Sequence, residues 1–297
     1  MADLDLSALA SSWELHLRAE RKTPQTIRSY LTGVRLYLEW CQRTGRPAEL
    51  DRHAVRAWVA ELLDSGAEPA TARARQLAVK RFSAWLADEG EIDRDDLVGL
   101  KPPKLDTKVV EVLTEDQLAA LIKVCQGKDF QSRRDEAIIR LMIETGARAE
   151  EIVALTVADV DLHAGVVTIR RGKGGKGRRV AISPATVRAL DRYLRLRRQH
   201  RMADLPQLWL GSRRHGFTYY ALHKVLRGRA EAAGIPDFHP HKLRHTMASR
   251  WLERGGSEGG LMATAGWSRR DMIDRYTRAT AEARAMDEAR RLQLGDL

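Results

Sequence analysis

The chain has 297 residues, 31% of them charged and only 6% aromatic, with a formal net charge of +11. That length suits about two ordinary domains with cores of their own, and no run of 18 or more apolar residues exists to cross a membrane as a helix. The charge is lopsided: residues 1–106 hold 16 Lys+Arg against 17 Asp+Glu, and residues 107–297 hold 35 against 23. The second part is therefore a basic surface suited to a phosphate polymer, although an arginine-rich composition alone gives the same excess.

In chain order, residues 7–90 read as four helices. The first spans Ser7–Glu20. The second opens at Thr23-Pro24, a cap followed by proline at the first helical position. It carries Ile27, Tyr30, Leu31, Val34, Tyr37, Leu38 and Cys41 as one apolar stripe and stops at Gly45-Arg46-Pro47. A third runs Asp51–Leu63 and a fourth Pro69–Ala87, with Leu77, Val79, Phe82 and Leu86 as expected core. Gly99–Lys108, with Pro102-Pro103 and four charges, reads as a linker.

The second half begins with a capping-box helix at Thr114-Glu115-Asp116-Gln117, then a helix over about Gln131–Glu144. Short strands are expected at Val157, Val166–Arg170 and Arg179–Ile182, the last two joined as a hairpin by the glycine-rich loop Arg171–Arg178. Helices follow at Pro184–His200, Thr218–Ala232 and His241–Glu253, and the tail Ala281–Leu294 looks helical. The fold class expected is mainly α with a small β-sheet.

Cys41 and Cys125 sit in separate helical patterns and read as buried apolar residues, in neither a disulfide nor a zinc-ligand spacing. Met1–Leu9 is acidic without an apolar run, so no secretory leader is expected and a reducing cytoplasm is the default.

Several cations stand in local contexts suited to phosphate. Arg148 follows the turn Thr145-Gly146 and begins a helix, where backbone N–H groups favour an anion and a guanidinium can bind two oxygens. An ordinary helix start with Glu150-Glu151 reads the same way. His241 and Arg244 are three apart and share a helix face; Lys242 and His245 are expected to point elsewhere. Lys173 lies in Gly172-Lys173-Gly174, and Lys176 in the same hairpin is the alternative; a partly buried lysine can protonate a leaving oxygen. Trp267 follows Ala265-Gly266, and Tyr276 lies nine residues on. A tyrosine on an amphipathic helix is ordinarily core, and a phenol with a pKa of about 10 needs cations and a proton acceptor to act as a nucleophile.

The ordered set Arg148, Gly-Lys-Gly, His241-Lys242-Leu243-Arg244-His245, Gly266-Trp267 and Tyr276 resembles the tyrosine recombinase (phage integrase) family. The resemblance covers nearly the whole chain, by pattern in the first half and by specific motifs in the second. It implies a helical core-binding, SAM-like DNA-binding domain over 1–100, a linker over 101–110 and an α+β catalytic domain over 111–297.

It also implies a site-specific recombinase that cuts and rejoins duplex DNA through a 3′-phosphotyrosyl intermediate formed by Tyr276, with no metal and no cofactor. Arg148 and Arg244 would hold the non-bridging oxygens, Lys173 would protonate the 5′ oxygen, His241 would assist proton transfer and Trp267 would support the phosphate. Glu151 would steady the site. The implied partners are duplex DNA recombination sites, with four copies of the chain acting on two duplexes.

Two departures stand out. Tryptophan occupies the place where the family usually has histidine, and Glu253–Met262 is glycine-rich where the family normally starts an apolar helix. The second argues against the chromosome-dimer-resolving subgroup and for integration, excision or resolution of a mobile element. A monomeric type IB topoisomerase-like enzyme and a non-catalytic DNA-binding regulator remain alternatives.

Overall fold

The computed structural model describes residues 5–105, 111–170, 177–211, 217–277, 286 and 289–290. The chain divides into two compact units, Met1–Lys108 and Val109–Leu297. The described residues are mostly helical, with one small three-stranded sheet.

The first unit packs α1 (Leu6–Ala19), α2 (Pro24–Arg43), α3 (Arg52–Asp64) and α4 (Pro69–Asp88). Each start has a local cause. Asp5, Thr23 and Asp51 accept hydrogen bonds from the exposed first-turn N–H groups of α1, α2 and α3, and Pro24 and Pro69 occupy first-turn positions where no donor is lost.

The apolar stripes meet in two clusters. One gathers Leu6, Trp13, Leu17, Ile27, Val34, Phe82, Trp85 and Leu86; the other is built around Tyr37, Trp40, Val55, Trp58 and Val79. Trp13 stacks on Tyr30, with ring centroids 5.7 Å apart. One expected core residue is misplaced: Leu77 is 42% exposed. The inward stripe of α4 runs through Ala72, Gln76, Val79, Phe82, Ser83 and Leu86, and Leu77 stands one step of about 100° past Gln76, on the outer face.

In the second unit, α5 (Glu115–Lys123) starts with the complete capping box at Thr114. Then α6 (Phe130–Thr145) runs through the centre, with Ala137, Ile138, Ile139, Leu141 and Met142 at most 1% exposed. Its buried carboxylates are paired, as burial requires. Asp135 binds Arg134 and Arg229, and Glu136 binds Arg133, Arg140 and Arg192.

After α7 (Ala149–Val153) come β1 (Val160–Asp161), β2 (Val166–Ile169) and β3 (Arg178–Ala181), antiparallel in the order β1-β2-β3. Val167 faces Val160 on one side and Val180 on the other. The strand expected at Val157 is instead a 3₁₀ turn over Val157–Asp159, closed by Asp159 against Thr156.

The chain continues with α8 (Pro184–Arg197), α9 (Tyr219–Ala232), α10 (Pro240–Glu253), α11 (Glu258–Ala265) and α12 (Asp271–Thr277). The helix α11 runs through the glycine-rich stretch. Ser257 caps it by accepting from the Gly260 N–H. The glycines make room for Trp251: a Cβ on Gly256 would lie 2.3 Å from its Nε1, and one on Gly260 2.9 Å from its ring. Packing, not propensity, selects glycine here, so the stretch does not argue against a helix. The tail expected to be helical over Ala281–Leu294 falls mostly outside the described residues, of which Met286, Ala289 and Arg290 are helical. Both cysteines are buried and free.

Candidate active site

The site grows from the break between α6 and α7. Gly146 ends α6 in the left-handed conformation, its N–H donating to the Met142 carbonyl at 3.0 Å. Arg148 then caps α7. Its backbone N–H donates to Glu151 Oε2 at 2.9 Å and its guanidinium to Glu151 Oε1 at 3.2 Å. Trp209 anchors α7 from behind, its indole N–H donating to the Ile152 carbonyl at 2.8 Å.

Glu151 is 5% exposed. Burial pushes its carboxyl pKa up, but the hydrogen bonds from Arg178 and from the Arg148 backbone, with the charges of both arginines, outweigh that and hold it below the ordinary value. Arg178, on β3, grips the carboxylate with both terminal nitrogens, at 3.1 and 2.8 Å, and turns its Nε to the Thr264 carbonyl at 2.7 Å. It thereby joins β3, α7 and the end of α11. Gly266 closes α11 with φ of +64° directly beneath this arginine; a Cβ there would meet Arg178 Nη1 at 2.8 Å.

Arg244, on α10, is 2% exposed. It donates to the Gly146 carbonyl and, at 2.7 Å, to the Ala265 carbonyl. Burial, with the positive charge of Arg148 next in weight, lowers its pKa to about 10. It therefore keeps its proton at neutral pH. Its Cζ lies 5.2 Å from the centre of the Trp267 ring.

Trp267 is 6% exposed, and its indole N–H has no hydrogen-bond partner among the described residues. A buried donor without an acceptor is costly.

Tyr276, on α12, is 8% exposed and packs with Met247, Ala248, Leu252, Leu261, Ala265, Trp267 and Ile273. Its ring stacks on Trp267 with centroids 5.6 Å apart and planes 14° apart. Its hydroxyl hydrogen-bonds His245 Nδ1. This overturns the expectation that His245 points elsewhere: α12 crosses α10 on the side where position 245 emerges. Lys242 does point away, pairing with Glu111 at 2.6 Å. His241 is exposed at the first turn of α10 and meets the His245 ring edge-on, with centroids 4.5 Å apart.

The structure thus gathers Arg148, Glu151, His241, Arg244, Trp267 and Tyr276. Lys173 and Lys176 lie outside the described residues. Two participants, Arg178 and His245, escaped sequence reasoning. The signal for Arg178 was strand alternation: Val180 is buried and Arg179 exposed, which sends position 178 inward with Val180. His245 stands four residues after His241, a spacing that shares a helix face as readily as three does.

Chemically, the site offers guanidinium groups, an unsatisfied indole donor, two imidazoles and a phenol, an inventory matched to attack on a phosphodiester anion. Among the described residues no group of three or more His, Cys, Asp and Glu could hold a metal ion, and no helix is long and apolar enough to cross a membrane.

Known proteins resemble this chain in sequence and in fold. The sequence profile of the phage integrase family matches residues 111–283, and that of the phage integrase N-terminal SAM-like domain matches residues 10–90. A tyrosine recombinase XerA from Thermococcus kodakarensis is 31% identical over 273 residues, covering 91% of this chain and 90% of its own. Among solved structures, the Tn1549 transposon integrase in complex with transposon right-end DNA superposes with a TM-score of 0.73 at 17% identity, over 97% of this chain and 99% of that one. A lambda integrase tetramer bound to a Holliday junction gives 0.67 at 16% identity, over 89% of this chain and 77% of that one.

Proposed function

The chain belongs to the phage integrase family of tyrosine recombinases and is a site-specific DNA recombinase; from that premise we propose that Tyr276 cuts one strand of duplex DNA and carries the 3′ phosphate while the strands are exchanged. One observation supports this most directly. Tyr276, 32 residues beyond Arg244 in sequence, packs on Trp267, the ring over which the Arg244 guanidinium sits.

In this reading Arg148 and Arg244 bind the two non-bridging oxygens, where charge grows as the phosphorus becomes five-coordinate. The Trp267 N–H gives a third hydrogen bond to the same group. Glu151, held between Arg148 and Arg178, keeps the first arginine aimed. His241 lies at the open side of the site and assists proton transfer to and from the phosphate. Lys173, or Lys176 in the same loop, protonates the departing 5′ oxygen. The phosphotyrosyl ester conserves the energy of the broken bond, so rejoining requires no nucleotide cofactor, and the reaction requires no metal.

The first unit binds the duplex as a core-binding domain over 1–100, with 101–110 as linker and 111–297 as the catalytic domain. The basic excess of the second half supports phosphate contacts by the catalytic domain. We assign the chain to the cytoplasm, acting as four copies on two duplexes, in keeping with the tetramer seen for lambda integrase. The setting we propose is integration, excision or resolution of a mobile element. Likeness to a transposon integrase supports that setting, and likeness to a XerA supports site-specific recombination in general.

The test is a suicide substrate, a site nicked next to the scissile phosphate so that cleavage traps the covalent adduct. Wild type yields the adduct, with or without EDTA. Tyr276→Phe binds the same DNA and yields none. Adduct from the phenylalanine variant would move the nucleophile elsewhere.

A further inference from the structure

A phenol with a pKa of about 10 is ionised in roughly one molecule in a thousand at neutral pH, so its attack needs a proton acceptor in contact with the hydroxyl. Trp267 is a donor only, and the Arg244 guanidinium donates to two carbonyls and accepts nothing. Glu151 is engaged by Arg148 and Arg178.

The half-buried His245 meets the Tyr276 hydroxyl through Nδ1. Both rings are held. His241 braces the His245 imidazole edge-on, with planes 87° apart. Trp267 lies flat on the tyrosine ring, and the His245 and Tyr276 centroids stand 5.6 Å apart at 45°. The approach of nitrogen to oxygen is therefore set jointly by α10, α12 and the segment between α11 and α12.

We propose that His245 is the general base that takes the Tyr276 proton, an assignment that rests on Tyr276 being the nucleophile. The neutral imidazole carries its own hydrogen on Nε2 and accepts at Nδ1. The Tyr276 O–H bond breaks and the proton moves to Nδ1. The phenolic oxygen uses the freed electron pair to bond to phosphorus. The bond from phosphorus to the 5′ oxygen breaks, and its electron pair leaves with that oxygen, which takes a proton from Lys173 or Lys176 in the proposed role of general acid. His245 is then an imidazolium held against the phosphotyrosyl ester. When an incoming 5′ hydroxyl attacks, its O–H proton passes to the lysine left neutral by the first step, and the His245 ring returns its proton to the departing phenolate. One histidine thus serves both directions of a reversible strand transfer.

Two substitutions separate proton acceptance from packing. His245→Asn places an amide where Nδ1 stood, able to hydrogen-bond the phenol but not to take its proton. His245→Phe keeps bulk alone and guards against a folding artefact in the first. Each is made with Tyr276 intact and with 3,5-difluorotyrosine at position 276, whose hydroxyl ionises well below the ordinary tyrosine value of about 10. The assay is single-turnover adduct formation on the nicked substrate, with DNA affinity and a thermal melt measured alongside.

His245→Asn is expected to lose about 10²–10⁴-fold in cleavage rate with DNA affinity unchanged, the range of general-base catalysis. The fluorinated nucleophile should restore about tenfold or more in both His245 variants while changing wild type little, because a more acidic phenol needs its base less. Equal responses to fluorine in wild type and variants would overturn the proposal, as would His245→Asn cleaving at the wild-type rate. Adduct formation by Tyr276→Phe is the separate result that removes the nucleophile assignment beneath it.

Discussion

Replacing Arg178 by alanine tests how the site is held together. The guanidinium and its carboxylate are 8% and 3% exposed. The substitution removes two hydrogen bonds to Glu151 and one to the Thr264 carbonyl, leaving Arg148 as the remaining cation on a buried carboxylate. Breaking a buried pair from one side costs about 3–5 kcal/mol. For a unit the size of Val109–Leu297, each kcal/mol lowers Tm by about 2–4 °C, so a fall of about 6–20 °C is expected.

Calorimetry of the full chain measures it, and the transition of the first unit, which carries none of these groups, serves as internal control. The pH dependence gives a second check. The Glu151 pKa in the folded chain lies below the ordinary 4.5. Its contribution is therefore complete above about pH 4.5 and is lost as pH falls through the lower folded value. The gap in Tm between wild type and Arg178→Ala should accordingly narrow below pH 4.5. A fall in Tm of under about 2 °C, or a gap that does not change with pH, would refute the assignment of Arg178 as the clamp on Glu151.

Trp267→Phe keeps the ring on Tyr276 but removes the unsatisfied donor; it should cleave more slowly than Trp267→His and faster than Trp267→Ala, and a wild-type rate for the phenylalanine variant would reduce Trp267 to packing. Gly256→Ala should push the Trp251 indole off the Ser257 carbonyl, which it meets at 2.9 Å, costing about 1–3 kcal/mol as overpacking does; urea unfolding of the two proteins measures the difference. Lys173→Ala should slow cleavage by about 10²–10⁴-fold, and a substrate with sulfur in the 5′ bridging position should recover much of that loss; recovery confined to Lys176→Ala would exchange the two lysines.

Local chemistry in the sequence determined where elements start and stop and which residue types stand ready for a phosphate. Thr23-Pro24, Asp51 and the Thr114 box act within one turn of chain, so their reading needs no tertiary knowledge. The order Arg148, His241, Arg244, Trp267, Tyr276 was legible through its resemblance to the tyrosine recombinases, since Tyr276 taken alone reads as a core residue.

What only the tertiary structure decided is which side chains meet across distance. Arg178 and His245 bond to partners 27 and 31 residues away; strand alternation and helix spacing set the side each faces, but not which partner stands there. Leu77 and the glycines near Trp251 show the same limit from the other side. A leucine faces outward and a glycine sits in a helix because a neighbouring element claims the space, and close packing between elements overrides the preference of the single residue.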